Sequence, residues 1–215
     1  MLEAVTYRHV SISAQLRETF GDIDIYLFDQ LLKGRFDERR TILDAGCGGG
    51  RNLVYFLRSG YDVHGVDRDP RAIAQVRALA AALAPGLQPE NFRVGEVDAL
   101  PWPGLQVDAV VSSAVLHFAA DRAHFERMLD AMWAALRPGG LFFARLASVI
   151  GLEAPVHVQS TGRATLPDGS ERFVVDEPLL LDCTSRFGAR QLDALKTTNV
   201  QNQRCMTTWV LQKRL

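Results

Sequence analysis

Four glycines lie close together at the junction between a predicted strand and a predicted helix, and this junction constrains the fold more than any other part of the chain. Residues 41–45 (TILDA) form a short β-branched and apolar run typical of a buried strand, and residues 46–50 (GCGGG) follow it directly. The next segment, 52–58, has a helical pattern that Gly60 is placed to end. Glycines at such a junction let the backbone pass close to a ligand, and the first amides of the helix point toward it. We therefore predict an α/β unit with a ligand at this loop.

Short apolar runs alternate with longer segments of helical period through the middle of the chain. Asp69 is suited to cap a helix that begins at Pro70 and continues to about Leu83. A second helix is marked by apolar residues at three- and four-residue steps from Phe125 to Leu136. Strands that alternate with helices predict a parallel sheet with helices on both faces. The predicted strands are 41–45, 61–66, 91–94, 107–112 and 141–146.

The two ends of the chain differ from this middle, although we predict a single domain over residues 1–215. The apolar spacing in residues 1–40 predicts one or two helices that cap the open end of the sheet. Residues 151–175 resemble an insertion on the substrate side, with a turn at 167–169 (PDG). The C-terminal part, 176–215, is predicted to contain a helix at 176–187 and then strands at 191–197 and 204–213.

Composition excludes several classes of protein. The 215 residues include 24 Lys and Arg and 25 Asp and Glu, so the chain lacks the basic excess that would favour duplex nucleic acid. Its cysteines, Cys47, Cys183 and Cys205, are odd in number and far apart, which predicts neither a disulfide framework nor a metal site. There is no apolar run of membrane-spanning length and no secretory pattern at the N-terminus. We therefore expect a soluble cytoplasmic protein.

Two acidic residues follow predicted strands and have side chains suited to a nucleoside. Asp67 closes the second strand, where a carboxylate can accept both hydroxyls of a ribose. Its alternative role as a helix cap is less suitable because Asp69 already serves as the cap. Asp98 follows the third strand and can recognise an adenine edge together with nearby backbone amides, the alternative being an ordinary loop residue. Arg51 occupies the position where a dinucleotide-binding loop has Gly or Ala, which disfavours a nicotinamide-dependent oxidoreductase.

Taken together, these segments resemble the class I S-adenosylmethionine-dependent methyltransferases. The continuation at 50–52 (GRN) with Tyr55, and the step at 60–63 (GYDV), are further similar to the small tellurite-resistance methyltransferases. The resemblance implies a three-layer, Rossmann-like, seven-stranded sheet that is mostly parallel, with the last strand antiparallel beside strand five. The segments that carry it, between residues 40 and 146, are 42–50, 65–67, 98–101, 108–117 and 136–140.

The resemblance also implies the cofactor and its contacts. The core at 41–146 would bind S-adenosylmethionine and release S-adenosylhomocysteine. Asp44 would organise the loop and act on the amino group, Asp67 would take the ribose, and Asp98 with Ala99 would take the adenine. We interpret Cys47 as a small filler of the loop. The full set of expected cofactor contacts is Asp44, Gly46, Cys47, Gly48, Gly50, Asn52, Asp67, Arg68, Asp98, Ala99, Leu100 and Ser113.

The substrate side is predicted less specifically. His117, past the fourth strand, is a candidate proton acceptor or orienting group, the alternative being a ring packed between its neighbours. Arg145 interrupts an apolar strand and is a candidate for holding an anionic substrate, the alternative being a salt bridge at the end of the sheet. Further candidates are Tyr7, Arg8, Tyr26, His157 and Arg163.

The resemblance implies in-line methyl transfer to a small-molecule acceptor, and we expect a monomer or weak homodimer that binds neither duplex nucleic acid nor a membrane. Alignment of the reacting groups and exclusion of water account for much of catalysis in such a step. Two alternatives stay open: an RNA or protein methyltransferase, and a protein that binds S-adenosylmethionine without turnover.

Overall fold

A computed structural model describes residues 11–153 and 155–215, and it contains a mixed α/β domain. Tyr7 and Arg8, two of the candidate substrate residues, lie outside the described residues. Within the described part of the chain, no helix is long and apolar enough to cross a membrane. The helices are α1 (Ile12–Phe20), α2 (Ile25–Leu32), α3 (Val54–Arg58), α4 (Pro70–Leu83), α5 (Arg122–Ala135) and α6 (Glu177–Arg186). The strands are β1 (Thr41–Ala45), β2 (Asp62–Asp67), β3 (Phe92–Val94), β4 (Val107–Ser113), β5 (Leu136–Ser148), β6 (Arg163–Thr165), β7 (Glu171–Phe173), β8 (Arg190–Gln191), β9 (Lys196–Val200) and β10 (Arg204–Gln212).

The central sheet confirms the predicted arrangement. Its order is β3-β2-β1-β4-β5-β10-β8, and β9 also pairs with β10. Strands β3, β2, β1, β4 and β5 are mutually parallel, whereas β10 returns antiparallel beside β5. The order reverses beside β1, and the crevice outside the carboxyl ends of the strands at such a reversal is where ligands bind in this kind of sheet.

One detail of the predicted sheet is wrong. The described residues form eight strands in this sheet rather than seven, because the predicted edge strand 191–197 is divided into β8 and β9. Between these two strands, Asp193 turns toward α2 and accepts a hydrogen bond from Gln30 Nε2 at 2.9 Å and from Arg35 Nη2 at 2.7 Å. A side chain committed to these contacts interrupts the pairing along β10.

Helices cover both faces of the sheet, which gives three layers. One face packs against α5 and α6 through residues such as Phe125 and Leu180. The other packs against α2, α3 and α4 through Leu27, Phe56 and Ile73, all buried. Apolar area removed from water on both faces stabilises the sheet, at about 25 cal/mol per Å².

The helix termini follow from capping residues that the sequence displays. Asp69 accepts a hydrogen bond from Arg71 N at 2.9 Å, and Pro70 occupies the first position of α4. In the same way, Asp176 caps α6 at Leu179 N, again at 2.9 Å. The insertion contains the hairpin of β6 and β7, whose connection includes the predicted turn at 167–169. The helix predicted from residue 52 begins only at Val54, because the preceding residues form turns.

Candidate functional site

The glycine loop leaves the carboxyl end of β1 through a tight turn held by β2. The amides of Gly46 and Cys47 both donate to the carbonyl of Val66, at 2.8 and 3.0 Å. Gly46, with φ +83°, and Gly50, with φ +87°, have backbone conformations that side chains disfavour. A Cβ on Gly46 would lie 2.3 Å from a γ-carbon of Val115, so the site also requires glycine for space.

Asp67 ends β2 with its carboxylate fixed beside this loop. One oxygen accepts from Gly48 N and the other from Asp69 N, both at 2.9 Å. Each carboxylate oxygen can accept more than one hydrogen bond, so Asp67 keeps acceptor capacity for a pair of hydroxyls. It lines what we call the first cavity, of about 180 Å³, whose lining residues are Gly46, Asp67, Arg68, Gly95, Glu96, Val97, Ala114, Val115, Phe118, His124 and Met128.

Asp98 does not itself line the first cavity, but its carboxylate lies beside His124, which does. Its carboxylate faces α5, with one oxygen 3.5 Å from Arg127 Nε and 3.6 Å from His124 Nε2. The lining comes instead from residues 95–97 immediately before it, whereas Leu100 packs against the core. Arg68 does line the cavity, with its guanidinium carbon 5.9 Å from the centre of the Phe118 ring.

Asp44 is a buried carboxylate at the end of β1 with only 1% of its surface exposed. Neither of its oxygens has a hydrogen-bond partner among the described residues. Burial raises the pKa of Asp44 to about 7, further raised by Asp67 and opposed by Arg51. An unpaired buried carboxylate is unfavourable in isolation, and it fits a site where a bound cation completes the arrangement.

The sequence did not predict a network of hydrogen bonds and ion pairs around Asp24. One Asp24 oxygen caps α2 at Tyr26 N at 2.9 Å. The other accepts from Ser113 Oγ at 3.0 Å and from Arg145 Nη1 at 3.2 Å, with Arg51 Nη2 at 3.7 Å. The only signal in the sequence was the suitability of Asp24 as a helix N-cap.

Asn52 and Cys47 line a further cavity along the glycine loop, although both residues are largely buried. Asn52 is buried, and its Oδ1 accepts from Asp24 N at 2.9 Å, which fixes the start of α2 to the glycine loop. The Cys47 sulfur lies 3.0 Å from where a Cβ on Gly65 would be. Burial raises the pKa of the Cys47 thiol, which makes it a poor nucleophile.

His117 and Arg145 line a second cavity, of about 270 Å³, separated from the first by Ala114, which lines both. His117 is 6% exposed, and its Nδ1 has no hydrogen-bond partner within the described ranges. The guanidinium carbon of Arg145 lies 5.2 Å from the centre of the Tyr26 ring. The lining residues of the second cavity are Ala114, His117, Arg145, Ala147, Leu166, Ser170, Arg172, Val200, Arg204 and Met206.

The pKa of His117 is lowered to about 4, first by burial and then by the charges of Arg172, Arg145 and Arg204. The ring is therefore neutral near pH 7, where one nitrogen can accept a hydrogen bond and the other can donate one. The two remaining described candidates, His157 and Arg163, do not line either cavity. Arg163 is instead bonded to the Ala119 carbonyl at 2.9 Å.

We expect His117 to make the protein less stable in acid. Its folded pKa lies below the unfolded value of 6.5, so its contribution to stability is lost as pH falls from about 6.5 toward 4. Relative to His117→Gln, wild type should lose about 2 kcal/mol of unfolding free energy between about pH 7 and 5. Urea denaturation at both pH values measures how much the unfolding free energy of each protein changes with pH. Because Asp44 contributes equally to wild type and to His117→Gln, its opposing effect cancels in the comparison. Exposed His157→Gln is the matched control, and a His117→Gln slope equal to wild type would contradict the prediction.

The segment that matches known proteins contains every lining residue of the first cavity. Residues 42–140 match a family model described as a methyltransferase domain. A ubiquinone biosynthesis O-methyltransferase from Methylobacterium sp. is 36% identical over 104 residues, which are 48% of this chain and 39% of that protein. The chain thus matches about two fifths of the length of this relative.

Two solved structures are similar to a larger part of the chain. One is the 1,6-didemethyltoxoflavin-N1-methyltransferase of Burkholderia thailandensis, solved with bound 1,6-didemethyltoxoflavin and S-adenosylhomocysteine. It is 20% identical, with 86% of this chain and 76% of that chain covered and a TM-score of 0.63. The other is TehB from Haemophilus influenzae, also 20% identical, with 87% and 62% covered and a TM-score of 0.60. These two likenesses establish the fold.

Proposed function

We propose that the chain is a class I S-adenosylmethionine-dependent methyltransferase, because its residues 42–140 match a methyltransferase domain, and that it methylates a small molecule. The observation that carries the proposal is the pair of cavities that meet at Ala114. One is lined by Gly46 and Asp67, which are suited to the cofactor, and the other is a separate space of small-molecule size at its side.

The glycine loop and the two carboxylates beside it fit S-adenosylmethionine. The unpaired Asp44 carboxylate suits the amino group, and Asp67 suits the ribose hydroxyls. Gly46 and Gly48 leave the loop backbone open to close approach. When bound, the cofactor supplies a methyl group on a positively charged sulfur; transfer breaks one carbon–sulfur bond, forms one bond to the acceptor and releases the acceptor's proton.

Ala114 is where this chain would control the approach of the two reactants. It has φ +65°, an uncommon conformation for a residue with a side chain, and its amide donates to the Arg145 carbonyl at 2.7 Å. The small methyl side chain keeps the wall between the cavities thin. We propose that the acceptor atom reaches the methyl group at this point.

His117 and Arg145 are the side chains that we assign to the acceptor. Neutral His117 can orient the acceptor through a hydrogen bond, whereas its lowered pKa of about 4 would make it a weak proton acceptor. Arg145 can hold an anionic part of the acceptor while Asp24 keeps the guanidinium in place at 3.2 Å. The Asp24 network also links α2 to the ends of β4 and β5, and this cover would help to exclude water.

The size of the second cavity favours a small acceptor over RNA or protein, and the presence of a separate acceptor space favours turnover over cofactor binding alone. All three cysteines are free and buried, which fits a reducing compartment. We therefore retain the cytoplasm as the proposed location.

Titration calorimetry with S-adenosylhomocysteine tests the proposed cofactor site. Wild type should bind, and Asp67→Ala should weaken binding by about tenfold or more, because hydrogen bonds to a charged group contribute about 1.5–3 kcal/mol. Asp62→Ala, at the other end of the same strand, is the matched control and should bind as wild type does. No heat of binding at about 100 μM ligand would disprove the cofactor site.

Turnover is tested separately with S-adenosylmethionine labelled in its methyl group. Incubation with mixed small-metabolite fractions should transfer label to a small product and form S-adenosylhomocysteine. Label found only in RNA or protein fractions would support the alternative enzyme class, and cofactor binding without transfer would support the non-catalytic alternative.

A further inference from the structure

Three arginines from distant parts of the chain line the second cavity. Arg145 belongs to β5, Arg172 to β7 of the insertion and Arg204 to the start of β10. Burial and these same three charges lower the pKa of His117. The positive charges therefore face a common space rather than separate regions of solvent.

Carboxylates of the described residues neutralise this charge only in part. Arg145 shares Asp24 with Arg51, at 3.2 and 3.7 Å. The nearest carboxylate to Arg204 is Asp168, at 3.9 Å, near the limit of an ion pair.

Arg172 is the least compensated of the three. In the described ranges it has no carboxylate within 4.0 Å, and its Nη1 donates to the Glu171 carbonyl at 2.7 Å. Its guanidinium carbon lies 5.1 Å from the centre of the Phe118 ring, a contact that orients the group without neutralising it.

Two unpartnered polar atoms belong to side chains of the same cavity. They are Nε of Arg145, which is a donor, and Nδ1 of His117, a residue that is only 6% exposed. Buried polar groups without partners are unfavourable, so a ligand in the cavity that reached these two atoms would be favoured. A guanidinium donates two parallel hydrogen bonds, which matches the oxygens of a carboxylate or phosphate.

We propose that the methyl acceptor is a small molecule with an anionic oxygen group, held by Arg145, Arg172 and Arg204 in the second cavity. The proposal rests on the proposed methyltransferase function and adds the chemical class of its substrate. The anionic end would lie toward the insertion, and the acceptor atom toward Ala114 and His117. Arg172 and Arg204 are then specificity residues that the sequence did not single out.

The test uses the protein saturated with S-adenosylhomocysteine and three probes of similar size: benzoate, phenyl phosphate and benzyl alcohol. Calorimetry should detect binding of benzoate or phenyl phosphate, weakened at higher salt, and no binding of benzyl alcohol at the same concentration. Tighter binding of benzoate assigns a carboxylate, and tighter binding of phenyl phosphate assigns a phosphate; both results support the proposal.

Variants identify the residues that hold the anion. Arg172→Gln and Arg204→Gln should each weaken binding of the anionic probe by about tenfold, since each variant loses a charge-assisted contact. Exposed Arg214→Gln, the matched control, should bind as wild type does. The proposal is overturned if neither anion binds up to about 10 mM, if benzyl alcohol binds equally, or if neither cavity variant changes binding. If the anion proposal fails but the wild-type protein binds S-adenosylhomocysteine, the proposed function stands. If the wild-type protein does not bind S-adenosylhomocysteine, the proposed function itself is refuted.

Discussion

Replacing Asp44 by Asn is expected to weaken S-adenosylhomocysteine binding by roughly a hundredfold, because truncating one partner of a buried charge pair costs about 2–5 kcal/mol. The side chain keeps its size but loses the charge that would pair with the ligand's ammonium group. Calorimetric titration measures the loss. Asp130→Asn makes the same chemical change in an exposed ion pair with Arg186 and should leave binding unchanged.

Proton release gives a second measure of the same contact. Because the pKa of Asp44 is about 7, the Asp44 carboxyl carries a proton in about half of the protein molecules near neutral pH. A bound ammonium favours the ionised form, so ligand binding to wild type should release about half a proton at pH 7. Calorimetric titrations in phosphate and in Tris, two buffers with different ionisation enthalpies, measure the number of protons released. Equal proton release by wild type and Asp44→Asn would contradict the assignment.

The same substitution should change the stability of the free protein in the opposite direction. The folded pKa of Asp44 is raised from its ordinary value of 3.8 to about 7, so this group disfavours the folded state increasingly as pH rises from about 4 to about 7 and by a constant amount above that. Asp44→Asn removes that penalty, which amounts to at most about 4 kcal/mol above pH 7. A variant that binds weakly yet unfolds at higher urea concentration at high pH would separate function from folding.

Replacing Gly46 by Ala is expected to destabilise the fold by about 2–4 kcal/mol, which combines overpacking with an unfavourable backbone conformation. The new Cβ would lie 2.3 and 2.7 Å from the two γ-carbons of Val115, at φ +83°. Urea denaturation measures the loss, and S-adenosylhomocysteine binding should weaken because the loop must move.

Two further variants separate strain from crowding at this position. Gly48→Ala is the matched control: its φ is +52°, but a Cβ there would meet no atom within 4 Å, so only the backbone penalty of about 1 kcal/mol is expected. Adding Val115→Ala to Gly46→Ala removes both crowding carbons and should restore part of the stability. If Gly46→Ala and Gly48→Ala were equally stable, the close contact with Val115 would not be the cause.

Much of the structure around the proposed cofactor site could be predicted because its parts are consecutive in the chain. Strand β1, the glycine loop and α3 follow one another, and Asp67 lies at the end of the next strand. Local propensities and the right-handed crossover then bring these ends together. Asp98 shows the limit of such reasoning, since the side-chain contacts of its loop depend on α5, which comes later in the sequence.

The edge of the sheet could be predicted only in outline. The alternation of residues around 191–197 is typical of one strand, but contacts of Asp193 with α2 divide that edge into two. Tertiary hydrogen bonds can override a strand propensity that spans only about 1 kcal/mol.

The sequence by itself determined the α/β class, the glycine loop, and the positions of Asp44 and Asp67, because each depends on residues near one another along the chain. The tertiary structure alone decided the Asp24 network and the second cavity. Asp24, Ser113 and Arg145 meet only because β4 and β5 are adjacent and α2 lies across their ends. Arg172 and Arg204 join Arg145 at the second cavity only through the hairpin of the insertion and the return of β10 beside β5. Charges this distant in sequence leave no local pattern, so their convergence is a property of the folded chain.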